Sequence, residues 1–217
     1  MFLLDLFFPN RCVECNRIIP SEEVVCELCF DQILFTHHQF SARNLLSEKC
    51  RLLFPVQNAF ALMQFEEEST SQKIIHQLKY GSRKKIGKTL ANWTLEKLDL
   101  NQNKPDLLVT VPLHQKKLKE RGYNQLHLFA NTLSETLQIP CDHHIIKRNF
   151  YKKAQAKKNR DQRIFNENLF SITRKITNQH VLLIDDVFTT GNTMSAVAWE
   201  ILKAGDNNVS VLVMAMD

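Results

Sequence analysis

The stretch VLLIDDVFTTGNT, residues 181–193, sets two adjacent carboxylates, Asp185 and Asp186, between an apolar run and a hydroxyl-rich turn. Gly191 lets the backbone curl close to an anion, Thr189, Thr190 and Thr193 offer hydroxyls, and the helix expected after the turn offers free amides. Such a turn is a phosphate cradle, yet phosphate repels carboxylates. The conflict disappears if Asp185 and Asp186 accept hydrogen bonds from the hydroxyls of a sugar next to that phosphate, with Mg2+ nearby to offset charge. The implied ligand is a ribose phosphate. A strand end followed by a Thr-capped helix explains the acidic pair alone; it explains poorly the pair, the apolar run and T-T-G-x-T together.

A second constellation lies near the N-terminus. Cys12, Cys15, Cys26 and Cys29 spell C-x2-C-x10-C-x2-C, two knuckles able to direct four thiolates at one tetrahedral Zn2+. Four Cys ligands close the coordination sphere, so the role is structural rather than catalytic. Residues 1–35 are too few to build an adequate apolar core, and structural zinc contributes about 10 to 16 kcal/mol in small finger peptides. Asn16 follows the first pair, where a residue tolerant of left-handed geometry is useful. Cys50 and Cys141 stand apart and read as core or surface thiols.

Several elements must position these groups. In the zinc module a short helix is expected from Ser21, where S-E-E offers a cap and an acidic first turn. Residues 36–55 read as a connector carrying some helix, and residues 56–217 as the main domain. There NAFALMQF reads as a strand, STSQKIIHQLKY as a helix burying Ile74, Ile75 and Leu78, and 84–98 as a second helix. A regular alternation follows: strand 106–111, helix 124–137, a strand around HHIIK, strand 180–187, helix 193–204 and strand 209–215. Runs such as VLLI and VLVM are apolar on successive positions, which requires burial on both faces. The fold class is therefore α/β, a mainly parallel sheet with helices on both faces plus the small four-cysteine zinc module. In such sheets ligands settle at the carboxyl ends of strands, where Asp185 and Asp186 lie. Residues 147–163 form a basic stretch without periodicity, and long polar loops in compact domains are often functional.

Composition excludes other classes. The chain has 217 residues, 44% of them hydrophobic and 24% charged, enough to bury a genuine core. The apolar start MFLLDLFF is short, lacks a preceding base and contains Asp5, so it suits a docking segment rather than a signal or a membrane span. Without an export signal the expected compartment is the cytoplasm, where cysteines point to metal or buried thiols. The net charge of +5 is concentrated in KKLKER at 116–121 and between Lys147 and Arg163, and it would assist contact with phosphates. No nucleophilic triad or P-loop is visible.

VLLIDDVFTTGNT resembles the phosphoribosyl pyrophosphate (PRPP) signature of type I phosphoribosyltransferases. Nearly the whole chain resembles their competence-associated ComF/GntX branch, through LLDLFFPNRCVEC with CELC, LKYGSRKKIGKTLA, VPLH with KERGYNQ, and R-I-F-N at 163–166. The resemblance implies that Val111, Pro112, Leu113 and His114 present backbone groups to the diphosphate, with Arg121 as a cationic partner. It makes Val187, Phe188, Thr189, Thr190, Gly191, Asn192 and Thr193 the phosphate-binding turn and Asp185 and Asp186 the catalytic acidic pair. Residues 147–163 resemble the loop that closes over PRPP and excludes water, with Lys152, Lys153, Gln155, Arg160 and Arg163 as its contacts. The family pattern T-x-x-Q reads here Lys152, Lys153, Ala154, Gln155, which keeps Gln155 in register and puts the role of position 152 in doubt.

Two functions follow from the resemblance. One is transfer of phosphoribosyl from PRPP to an acceptor, with Mg2+ on the diphosphate and release of pyrophosphate, in a protein associated with natural transformation. The other is a non-catalytic accessory that senses PRPP or handles single-stranded DNA, with a competence helicase and a recombination mediator as partners. In that case Phe150 and Tyr151 are the main base-stacking candidates.

Overall fold

A computed structural model describes residues 9–81, 83, 85–100, 103–149 and 169–217. The expected loop contacts Lys152, Lys153, Gln155, Arg160 and Arg163, the stacking candidates Phe150 and Tyr151, and the apolar start at 1–8 lie outside the described residues.

Five strands form one parallel sheet: β1 (Ala59–Gln64), β2 (Leu107–Thr110), β3 (Cys141–Asp142), β6 (His180–Phe188) and β7 (Asn208–Met216), in the order β1-β7-β6-β2-β3. The central pair carries VLLI and VLVM, whose side chains are buried on both faces, as a doubly covered sheet demands. Register sets Thr110 beside Ile184 and Asp185 beside Val213. The polar groups after β2 and within β6 therefore emerge side by side at the carboxyl edge.

The helices follow from their periodic apolar stripes. They are α3 (Thr70–Tyr80), α4 (Lys85–Lys97), α6 (Gln125–Leu137) and α7 (Asn192–Lys203). Ser69 caps α3 by accepting from Gln72 N–H at 3.2 Å, and Asn124 caps α6 by accepting from Leu126 N–H at 3.0 Å. α4 packs on α6, and α6 on β2 and β6, while α7 packs on β6 and β7. From β2 the chain crosses to β3 and from β6 it crosses to β7, in opposite directions along the sheet. Right-handed crossovers then put α6 and α7 on opposite faces. The point where the directions diverge, between β2 and β6, opens a crevice.

The N-terminal region departs from expectation. Its helix does not start at Ser21: α1 spans Glu27–Phe30, just inside the second knuckle. Residues 20–24 are held in another conformation, because Asn10 Nδ2 donates to the Pro20 and Glu23 carbonyls and Val13 N–H donates to the Val24 carbonyl. Those carbonyls are engaged outside any helix. Part of the expected connector covers the edge of the sheet instead, with Thr36 N–H bonding the Leu62 carbonyl at 3.1 Å and Ala59 N–H the Ser41 carbonyl at 3.0 Å. It then enters α2 (Leu45–Arg51), started by a reciprocal box in which Asn44 and Ser47 exchange side-chain to backbone bonds at 2.9 and 3.0 Å.

Two further elements were not expected. KKLKER lies in a helix, α5 (Gln115–Arg121), which buries no residue and depends on its ends: His114 Nδ1 accepts from Lys116 N–H, and Gly122 closes it at φ 71°. The segment around HHIIK divides, because Cys141–Asp142 joins the main sheet as β3 while β4 (Ile146–Arg148) pairs antiparallel with β5 (Phe170–Ile172). Lys147 and Arg148 thus belong to a strand rather than to the polar loop. Among the described residues no helix is long and apolar enough to cross a membrane.

Candidate metal centre and ligand pocket

The four knuckle cysteines meet. The sulfurs of Cys12, Cys15, Cys26 and Cys29 all lie within 4.8 Å of one another, and those of Cys15 and Cys26 are 3.7 Å apart. A tetrahedral Zn2+ with Zn–S bonds of about 2.3 Å requires sulfur separations of about 3.8 Å, so the donor set fits. Asn16 takes the left-handed conformation its position invited, φ 62°, and Cys26 N–H points at Cys12 Sγ at 3.4 Å. Burial opposes ionisation of Cys12, but the amides of Cys15, Cys26 and Glu14 outweigh it and bring the thiol down to about 6. Burial, aided by the neighbouring cysteines, instead pushes Cys29 up to about 12. Four thiolates cannot share so small a volume without a cation, and a dication supplies the missing charge. Cys50 is fully buried and, like the half-buried Cys141, is raised by burial to about 12. Each packs as a thiol.

The other site occupies the crevice between β2 and β6. Val111, Pro112, Leu113 and His114 follow β2, Arg121 ends α5, and Asp185 through Thr193 run from the end of β6 into α7; all of them line one pocket. The sequence-predicted residues inside the described regions therefore converge. Lys79, Lys117, Gln125, Leu126, Arg148 and Met194 complete the lining; none is singled out by the sequence, although Lys117 and Arg148 fall in its two basic clusters. Lys79 and Arg148 come from elements far away in sequence. Gln125 was legible as one letter of KERGYNQ, but its contact was not.

At the turn, Gly191 adopts φ 71° and closes against its neighbours. A Cβ there would sit 2.4 Å from Leu53 Cδ1 and 2.6 Å from Phe188 Cζ, so glycine is required for both conformation and space. The ring of Phe188 is buried in this packing. Thr189, Thr190 and Asn192 are exposed, and α7 begins with no side-chain cap, which leaves its first amides available to an anion.

The two carboxylates have different surroundings. Asp186 is buried; its Oδ1 lies 3.0 Å from Lys79 Nζ and its Oδ2 accepts from Gln125 Nε2 at 2.6 Å. Asp185 is half-buried, and its Oδ1 accepts the Asp186 backbone N–H at 2.8 Å. Burial first, then the charge of Asp186, raise Asp185 to about 8, against the opposing pull of Lys79 and Lys117. Arg148 stacks over the Phe170 ring at 5.3 Å, and its buried Nε has no hydrogen-bond partner among the described residues. Burial lowers the pKa of its guanidinium while the charge of Asp185 acts in the opposite direction. The pocket combines basic side chains, open amides and an acidic edge, which suits a ligand with a phosphate at one end and hydroxyls at the other.

Comparison with known proteins matches two parts of the chain. Residues 127–215 match the phosphoribosyl transferase domain and residues 3–43 the double zinc ribbon domain. The DNA utilization protein YhgH of Escherichia coli (strain K12) is 27% identical over 206 residues, covering 92% of this chain and 87% of the relative. Competence protein ComFC of Bacillus subtilis is 36% identical over 100 residues, 46% of this chain and 39% of the relative. Competence protein F of Haemophilus influenzae is 31% identical over 111 residues, 49% of this chain and 48% of the relative. A zinc ribbon match ahead of a phosphoribosyl transferase domain match, with YhgH similar along nearly all of its length, is consistent with the ComF family.

Proposed function

We propose that the protein binds PRPP with Mg2+ in the β2–β6 crevice and transfers its phosphoribosyl group to an acceptor. The observation that carries this reading is the joining of an uncapped helix start and the Gly191 turn to an acidic pair on one strand. The turn and the first amides of α7 would hold the 5′-phosphate, the acidic edge the ribose hydroxyls, and the 111–114 segment with Arg121 the diphosphate. In the reaction the bond from C1 to the diphosphate breaks, the acceptor's nucleophilic atom bonds to C1, and the acceptor's proton is lost. Mg2+, held largely by the phosphates and water, would offset the charge of the departing pyrophosphate. The protein's part is alignment and exclusion of water. The basic stretch read as 147–163, less Lys147 and Arg148 in β4, with Lys152, Lys153, Gln155, Arg160 and Arg163, would serve that exclusion.

We further propose a division into a zinc module (1–35), a connector (36–55) and a phosphoribosyltransferase-like domain (56–217), acting in the cytoplasm in DNA uptake. The names of YhgH and ComFC support that association. A second reading is an accessory that senses PRPP or handles single-stranded DNA beside a competence helicase and a recombination mediator. The exposed basic face of α5, with Lys116 and Lys119, supports it.

Pyrophosphate release from PRPP across a panel of acceptors tests transfer. Tight PRPP binding without turnover on any acceptor would reject the enzyme and leave the sensor. Affinity for single-stranded DNA that falls steeply with salt would support phosphate contacts by the basic segments.

A further inference from the structure

Asp186 is enclosed by protein partners, and those partners form a circuit. Lys79 pairs with its Oδ1 at 3.0 Å, and Gln125 donates to its Oδ2 at 2.6 Å. Gln125 Oε1 accepts from Arg121 Nη1 at 2.9 Å, and Arg121 Nη2 donates to the Tyr80 hydroxyl at 3.2 Å while stacking 4.8 Å over its ring. Tyr80 follows Lys79 in the chain, which closes the loop. The Tyr123 hydroxyl donates to the Leu78 carbonyl and ties the turn between α5 and α6 to the last turn of α3. Asp185 differs: among the described residues it forms no ion pair, and the bond it accepts comes from the neighbouring backbone.

We infer that Lys79 is a positioning residue for the donor: by fixing and neutralising the buried Asp186, it leaves Asp185 as the carboxylate that meets the ribose hydroxyls. This division of labour rests on the PRPP reading and deepens it. Both oxygens of Asp186 are already engaged, so it has little left to offer a sugar. Adjacent like charges at the edge of a core cannot both ionise cheaply without a cation. Without Lys79 the pair would retain its proton to higher pH, and a protonated Asp185 loses acceptor capacity. Among the described residues the charged groups facing Asp185 are Asp186 on its own strand, Lys79 from α3, Lys117 from α5 and Arg148 from β4. Lys79 is the one among them that pairs directly with the acidic residues.

The test uses the full-length, zinc-loaded protein with Lys79→Met, Lys79→Arg and Gln125→Leu. Calorimetric titration with PRPP and Mg2+ between about pH 6 and pH 9 gives affinity and its pH profile. Carboxyl 13C NMR follows Asp185 in the unliganded protein. The expected result for Lys79→Met is an affinity loss of about tenfold near pH 7 and a pH profile moved to higher pH. The Asp185 titration should move the same way. Lys79→Arg should restore all three, and Gln125→Leu should reproduce the upward shift even if the methionine variant fails to fold. Wild-type affinity and an unmoved profile in Lys79→Met would overturn the inference. Absence of PRPP binding in the wild type would instead reject the donor reading, and the NMR titration of the unliganded variants would then decide the Lys79 circuit on its own.

Discussion

The metal centre and the ligand pocket solve the same problem, holding charged groups close together, by opposite routes. In the knuckles four like groups come from 18 residues of chain, and a cation from outside is required to unite them. In the pocket the charges come from β4, β6, α3 and α5, and the protein supplies its own counter-charge through Lys79. The knuckles cannot persist without their ion. The pocket is organised before any ligand arrives, which suits electrostatic preorganisation.

Breaking the metal centre should have the largest effect. Cys29→Ser, or chelation, should release zinc and unfold the module, since structural zinc contributes about 10 kcal/mol or more in small finger peptides. Metal analysis and thermal unfolding read this directly. The module also grips the domain, through Glu14 to Lys73, the Arg11 carbonyl to Arg83, and Phe30 and Phe35 against Trp93. The loss should therefore reach α3 and weaken PRPP binding as a secondary effect.

Next in size is Asp185→Asn, which should lower PRPP affinity about ten- to a hundredfold, the range expected for hydrogen bonds to a charged group; calorimetry at constant Mg2+ reports it. Asp186→Asn should also weaken binding, and it should perturb the unliganded structure more, because two side chains rely on that carboxylate. Gly191→Ala should cost about 1 to 3 kcal/mol of stability from left-handed strain and contact with Leu53 and Phe188. It should show as a lowered Tm together with weaker phosphate binding.

The pH dependence is a finer probe. Asp185 is raised from an ordinary 3.8 to about 8, so between these values the native state holds a proton that the unfolded chain has released. This contribution to stability is complete below about pH 4 and is lost as pH rises through the folded value. Chemical denaturation from acid to mildly alkaline pH should show the decline, and Asp185→Asn should flatten it. The smallest effect is expected from Lys73→Met, which removes a partly exposed, solvent-screened ion pair with Glu14 and should lower Tm only slightly.

The contrast also explains what was legible. Knuckle spacing predicts the four-sulfur cluster because the ligands are neighbours in sequence and Asn16 marks the turn. VLLIDDVFTTGNT predicts strand, turn and helix together, since apolar run, glycine and hydroxyls each have a local cause. The misplaced helix at Ser21 shows the limit: its cap signal is genuine, but Asn10 and Val13 claim the carbonyls a helix would need. Likewise α5 looked like a loose basic cluster because it has no buried stripe, and β5 is too short for any period to show.

By itself the sequence determined the parallel α/β class, the zinc knuckles, and the glycine turn beside an acidic pair, because burial on both faces, ligand spacing and backbone freedom are properties of short segments. Only the tertiary structure decided that the two carboxylates are unlike. Which of them is enclosed depends on Lys79, more than 100 residues earlier in the chain, and on Gln125 about 60 earlier. An ion pair or a buried hydrogen bond forms between groups that folding brings within about 3 Å. No pattern along the chain encodes that distance.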